Sequence, residues 1–141
     1  MSNSCICVDA NLVIRLVADP ADALVRERWE EWDASRRQLA APTLLYYEVT
    51  NALYRYQTAG MLGASSVQLA LKAALALPIR LYGEAEVHQR AVALASKFSL
   101  PAAYDAHYLA LAEWLGGELW TADGRLFQHV RSELSWVRLL Q

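Results

Sequence analysis

Short β-like runs alternate with segments of helical period along almost the whole chain, and this alternation limits the possible folds more than any other property of the sequence. Apolar periodicity predicts strands at 4–8, 39–41, 79–82, 118–121 and 136–140. It predicts helices at 11–18, 21–38, 43–59, 64–77, 84–98, 103–115 and 124–130. Breaks fall at Asp19-Pro20, Ala41-Pro42-Thr43, Ala59-Gly60, Leu77-Pro78, Leu100-Pro101 and Gly116-Gly117, where helix starts and stops are expected. The order predicts an α/β fold with a mostly parallel sheet. At 141 residues and 55% hydrophobic, the chain fits one compact domain, 1–141, with one core and no Pro/Gly/Ser-rich linker. There is no internal repeat and no low-complexity tract.

Four acidic residues sit in otherwise apolar surroundings. Asp9 follows Cys5-Ile-Cys-Val8, and Glu48 interrupts Leu44-Leu-Tyr-Tyr47. Asp105 opens the run to Ala112, and Asp123 follows Leu119-Trp-Thr-Ala122. Ionised carboxylates are rarely buried without a partner, and no Lys or Arg stands immediately beside any of the four. A divalent cation would compensate them, so together they read as one metal site assembled from distant segments.

The predicted elements place these acids usefully. Ligands of open α/β sheets bind beyond the carboxyl ends of the strands, where Asp9 and Asp123 both fall. Asp105 lies in the first turn of a helix, where the dipole favours a carboxylate. Glu48, Asn51 and Arg55 share one helical face, a polar stripe suited to a cleft. Hard ions such as Mg²⁺ take oxygen ligands from a few carboxylates, retained waters and substrate phosphate. Such an ion can activate water, hold a phosphodiester for in-line attack and stabilise the leaving oxygen, so no nucleophilic side chain is required.

Charge is compatible with a phosphate substrate without demanding one. The net charge of −2 argues against wholesale attraction to nucleic acid. Setting the four acids aside leaves 13 basic against 15 − 4 = 11 acidic residues, a balance of +2. Of the basic residues only Lys72 and Lys97 are not Arg, the residue suited to bidentate phosphate contacts. The N-terminus lacks the pattern of a signal peptide, and no run of about 18 apolar residues implies a membrane span. A cytoplasmic protein is expected. Cys5 and Cys7 alternate across a predicted strand, cannot readily bridge, and are expected to act as buried small hydrophobes.

Each acid also has an ordinary structural explanation. Asp9 and Asp123 can cap the helices that follow them. Asp105 can serve only the helix dipole, and Glu48 can be a solvated helix residue. His107, two residues beyond Asp105 and so on another side of its helix, is expected to be peripheral. His88 and His129 form no ligand spacing with it, and Glu113 is expected to be structural. The combination of four acids favours the site.

Those residues also carry a resemblance. Val8-Asp9-Ala10-Asn11, Tyr47-Glu48-Val49-Thr50-Asn51-Ala52-Leu53, Tyr104-Asp105-Ala106-His107-Tyr108-Leu109-Ala110-Leu111-Ala112-Glu113 and Thr121-Ala122-Asp123-Gly124-Arg125-Leu126 resemble, in order and separation, the PIN-domain family and its small VapC-type ribonuclease toxins. The resemblance implies a central parallel sheet of about five strands flanked by helices. It implies a Mg²⁺- or Mn²⁺-dependent endoribonuclease, neutralised by a cognate antitoxin, with Asp9, Glu48, Asp105 and Asp123 as its acidic ligands. Asn11 stands where relatives often carry Ser or Thr. Thr121 matches a hydroxyl that similar proteins place two residues before the last Asp, and Asn51 matches an Asn that often follows the Glu. All three are expected to support the site.

RNA substrate, antitoxin and a homodimer are the expected partners, with no membrane. A receiver-like phosphoacceptor would want adjacent acids after the first strand and a late Lys, and a haloacid-dehalogenase-like phosphatase would want Asp-x-Asp there. The sequence reads Asp9-Ala10-Asn11. The remaining alternative is a catalytically silent module of the same fold that binds RNA or protein. Val25, Trp29 and Trp32 form a stripe on the helix at 21–38, open to a reading as core or as an antitoxin groove. Tyr46, Tyr47, Tyr54 and Tyr56 can serve core, dimer contact or RNA stacking.

Overall fold

The computed structural model describes residues 5–141. Five strands form one parallel sheet: β1 (Ile6–Val8), β2 (Leu39–Pro42), β3 (Ile79–Tyr82), β4 (Glu118–Thr121) and β5 (Val137–Leu139), in the order β3-β2-β1-β4-β5. The helices are α1 (Ala10–Ala18), α2 (Ala23–Ala34), α3 (Leu44–Thr58), α4 (Ala64–Leu75), α5 (Ala85–Lys97), α6 (Tyr104–Leu115) and α7 (Gly124–Val130). This is the α/β architecture expected from the alternation. Ser4, where the first strand was predicted to begin, lies outside the described residues.

Burial explains the strand order. β1 and β2 are buried along their whole length, as suits strands covered on both faces, whereas β3 at one edge is only partly buried. The chain runs outward from β1 through α1–α4 to β3 and back across through α5 and α6 to β4, and the right-handed rule for parallel crossovers puts those two helix groups on opposite faces. The helix packing agrees: α1 lies against α3 and α4, while α6 lies along α5 and against β1, β2 and β4. The chain therefore reverses direction at β1, whose neighbours β2 and β4 are reached by connections on opposite faces. In open α/β sheets such a switch point, here beyond the carboxyl ends of β1 and β4, is where ligands bind.

α2 is shorter than its periodicity predicts. Asp22 caps its start through the Val25 amide, and the helix ends at Ala34. Arg36 then turns left-handed at φ 57° and the Arg37 amide bonds back to the Trp32 carbonyl, directing the chain into β2. Arg36, Arg37 and Gln38 are all good helix formers, so local propensity alone extends the helix through them. Val25 and Trp32 of the apolar stripe belong to the core, at 0% and 3% exposure. Trp29 is half-buried, its ring 5.5 Å from that of Trp32, which in turn stacks edgewise on Trp120 of β4. Among the tyrosines, Tyr46 donates to the Ala74 carbonyl and ties α3 to α4, while Tyr47 and Tyr54 stand exposed. Cys7 is buried and Cys5 half-buried, both as free thiols. Among the described residues, no helix is long and apolar enough to cross a membrane.

The turn from α6 into β4 permits a close backbone approach to the start of β1. Gly116 closes the helix in the left-handed conformation, and the next amide bonds back to the Ala112 carbonyl. A side chain at Gly117 would place its Cβ 2.2 Å from the Cys5 carbonyl oxygen, at the entry to the β1–β4 pair. Gly117→Ala must push the two strands apart and is expected to cost about 1–3 kcal/mol in chemical denaturation. A variant as stable as the parent protein would show that this contact has room to spare.

Candidate active site

The four acids come from four elements that meet at the switch point. Asp9 ends β1, and Asp123 follows β4 by two residues. Glu48 projects from the second turn of α3 and Asp105 from the first turn of α6. Asp9, at 6% exposure, is the most buried of the four. It holds the N-cap position of α1 without making a side-chain cap bond. Its Oδ2 instead accepts a 2.8 Å hydrogen bond from the Thr121 hydroxyl, with the Asn11 amide group at 3.4 Å.

Valence fixes the direction of this network. The buried Thr121 hydroxyl accepts from Asn11 Nδ2 at 3.3 Å and from the Asp123 amide at 3.0 Å, so its one proton goes to Asp9. Asn11 Oδ1 accepts from the Ala122 amide at 3.0 Å, which orients its Nδ2 toward Asp9 and Thr121. Asn11 therefore serves as a supporting residue by clamping β1 to the end of β4. Asp123 does cap its helix, accepting from the Arg125 and Leu126 amides at 3.0 and 3.2 Å. The same residue lies close enough to Asp105 to raise its pKa. Capping and membership of the acidic cluster thus coexist in one side chain.

Tyr108 is the residue that sequence reasoning missed. Its buried hydroxyl donates to Glu48 Oε1 at 2.5 Å, joining α6 to α3 across the site. Burial, then the charges of Asp9 and Glu48, hold its pKa far above that of an ordinary phenol, so it remains a donor. The available signal was its position three residues after Asp105, on the same helical face. Asn51, by contrast, is exposed and lines a neighbouring surface with Tyr47 and Tyr54. His107 and His88, which no sequence spacing linked, meet at 3.0 Å between α6 and α5. Glu113 makes a bidentate pair with Arg90 at 2.6 and 2.9 Å, a contact between helices.

Burial first, and like charge second, raises the pKa of three of the four acids. Burial pushes the Asp9 carboxyl up to about 7, with Asp105 and Glu48 adding to the effect and the Thr121 hydrogen bond opposing it. Burial also raises Glu48; there Asp105 adds to the shift, while the Tyr108 hydroxyl and His107 oppose it. Asp105 is raised by burial and by Asp123, despite its favourable place at a helix start. Among the described residues, no group of three or more His, Cys, Asp or Glu side chains is close enough to hold a metal ion by itself. The acids are electrostatic neighbours, Asp9 with Glu48 and Asp105, and Asp105 in turn with Asp123, without forming a closed cage.

An acidic crevice at the switch point of a five-stranded parallel sheet defines a recognised class of protein. The PIN domain family profile matches residues 6–133, and the chain belongs to that family. It is 32% identical to Ribonuclease VapC3 of Pyrobaculum aerophilum over 120 residues, which cover 82% of this chain and 91% of that protein. Two solved structures share the fold. A toxin-antitoxin complex from Klebsiella pneumoniae superposes with a TM-score of 0.68 at 20% identity, covering 96% of this chain and 98% of its own. A crystal structure of a second Pyrobaculum aerophilum protein superposes with a TM-score of 0.69 at 24% identity, covering 90% and 85%.

The upward shifts make a stability prediction with a definite sign. A carboxyl whose folded pKa exceeds its unfolded value binds more protons in the folded state, so its contribution is fully present below the unfolded pKa. It is lost as pH rises through the folded pKa. For Asp9 the window runs from its ordinary 3.8 to about 7, corresponding to at most about 4 kcal/mol. Asp9→Asn keeps an acceptor for Thr121 and removes the charge. In chelator-treated buffer the variant should gain stability over the parent protein steadily between pH 4 and 7 and hold that gain at pH 8. A pH-independent difference in denaturation free energy would show that Asp9 ionises as an ordinary carboxyl.

Proposed function

We propose that this protein is a metal-dependent endoribonuclease of the VapC type, the toxin of a toxin–antitoxin pair. The observation that carries this reading is the buried Asp9 carboxylate, crowded by Glu48 and Asp105 and relieved only by neutral donors. A donor set made entirely of carboxylate oxygens suits Mg²⁺ or Mn²⁺. Mg²⁺ in particular usually takes one or two protein carboxylates and completes its shell with water and substrate phosphate. A set of neighbouring acids without a closed cage fits that habit. Kinship with a protein named a ribonuclease, at 32% identity across most of both chains, supports RNA as the substrate.

In this reading Asp9, Glu48, Asp105 and Asp123 hold the ion. When bound, it would supply charge neutralisation for the phosphodiester and an activated water. The rest of the chemistry falls to the chain. Thr121 and Asn11 fix the Asp9 carboxylate so that its orientation does not depend on the ion, as supporting hydrogen bonds do in metal sites. Tyr108 does the same for Glu48 and leaves that carboxylate's second oxygen for other work. Val8 and Ala106, the chain neighbours of Asp9 and Asp105, are fully buried and anchor those two acids to the core.

Purified protein should cleave single-stranded RNA only with Mg²⁺ or Mn²⁺, and Asp9→Asn should reduce cleavage to background. Thr121→Val preserves shape while deleting the hydroxyl, and should lower activity by about 10–100-fold. Cleavage that persists in EDTA would remove the metal mechanism, and full activity in both variants would remove Asp9 from the site.

An antitoxin partner follows from the same reading and is supported by the toxin-antitoxin complex that shares this fold. Its inhibitory segment is proposed to cover the acidic crevice and to bring a cation among the carboxylates. Co-expression with the product of an adjacent small gene should yield a stable complex without ribonuclease activity. A complex that cleaves as fast as the free protein would refute occlusion.

A further inference from the structure

A pocket of about 250 Å³ opens beside the acidic crevice, between the start of α3, the turn after β3 and the start of α6. Its walls include Tyr47, Tyr82, Tyr104, His88 and His107. Tyr47 and Tyr104 are 76% and 64% exposed, so neither packs into the core. Each immediately precedes a site acid on a different helix: Tyr47 before Glu48, and Tyr104 before Asp105. His107 lies near enough to Glu48 for its charge to act on that carboxylate. The acids themselves do not line the pocket, which lies one residue along the chain from Glu48 on α3 and from Asp105 on α6.

The histidine pair gives the pocket a defined polar wall. The Ala103 carbonyl can only accept, so His107 Nδ1, at 2.7 Å, carries its proton. In the neutral pair His107 Nε2 accepts from His88 Nδ1 at 3.0 Å, and His88 Nε2 is then the acceptor nitrogen. The rings stand at 72° to each other. Exposed phenol faces beside an oriented acceptor match the chemistry that single-stranded RNA presents: a flat π-system with N–H groups on its edge.

We propose that this pocket seats a nucleobase adjacent to the scissile phosphate, with Tyr47 and Tyr104 as its stacking faces. The proposal rests on the ribonuclease reading and deepens it by giving the substrate a specific place to bind. Stacking explains why two large aromatic side chains remain in solvent at the rim of a charged site. It also provides affinity beyond phosphate contacts, which a chain of net charge −2 favours only weakly.

Tyr47→Ala and Tyr104→Ala should each raise KM for a short single-stranded RNA by about tenfold, with a smaller change in kcat. Tyr47→Phe and Tyr104→Phe keep the ring and should retain the parent KM. A 2-aminopurine-labelled RNA bound to Asp9→Asn protein with Mg²⁺ should show stacking quench that disappears when either Ala change is added. Melting temperatures should be unaffected, since both side chains are exposed. Unchanged KM and quench in both Ala variants of an active enzyme would overturn the subsite alone and leave the pocket to a protein partner. A fall in kcat with KM and quench unchanged would also overturn it, assigning the tyrosines to support of the carboxylates. A parent protein that neither binds nor cleaves RNA with metal would overturn the ribonuclease reading and the subsite with it.

Discussion

The hydrogen bond from Thr121 to Asp9 joins the carboxyl ends of the two strands that flank the switch point, and the site depends on it. Thr121 is wholly buried and its hydroxyl is saturated, taking two donors and giving its proton to the carboxylate. An acid so deeply placed would otherwise shed its charge or pull the local structure toward water. Asn11 reinforces the arrangement from the first turn of α1, binding the Ala122 amide with one end of its amide and approaching Asp9 with the other. The same atoms that position the Asp9 carboxylate therefore also tie β1 to β4 at their tips.

α6 brings the other half of the site into place. Its buried face, from Ala106 to Ala112, fixes the helix against the sheet, so Asp105 and Tyr108 project toward the crevice as a consequence of core packing. Close approach of its C-terminal turn to β1 requires Gly117, because Cys5 occupies the space where a side chain would go. Tyr108 then reaches Glu48 on α3, a helix from the opposite face of the sheet. One apolar helix thus sets the spacing among three of the polar groups. Burial, with like-charge crowding adding to it, raises the pKa of Asp9, Glu48 and Asp105 together, a cost in stability that the core elsewhere must offset.

Much of this was legible in the chain. Every predicted strand and helix has its counterpart, because the period-2 and helical patterns arise from burial that the sheet and helices share. The clearest misjudged boundary, at the end of α2, lies where the left-handed Arg36 is imposed by the approach to β2 while local propensity favours more helix. The proximity of Asp9, Glu48, Asp105 and Asp123, read in the sequence from four acids in apolar settings, appears in the structure as mutual electrostatic influence, with Asp9 directly after β1 and Asp123 two residues after β4. Asn51 shows the limit of the same method. It lies three residues from Glu48, an offset of about 60° around the helix, and that offset is enough to leave it in solvent while Glu48 is partly buried.

Sequence by itself determined the element order, the parallel α/β class and the residues able to bear charge chemistry, since each of these follows from local pattern and composition. Only the tertiary structure decided which groups touch. The meeting of His88 with His107, the donation from Tyr108 to Glu48 and the burial of Trp32 beside a half-exposed Trp29 all depend on how α5, α6, α3 and α2 pack. The order of strands, which turns β1 into a switch point and draws residues 9 and 123 to one rim, is likewise a property of the assembled sheet. The physical reason is one of range. Periodicity encodes which face of an element avoids water, whereas partner identity is fixed by long-range packing to which many residues contribute at once.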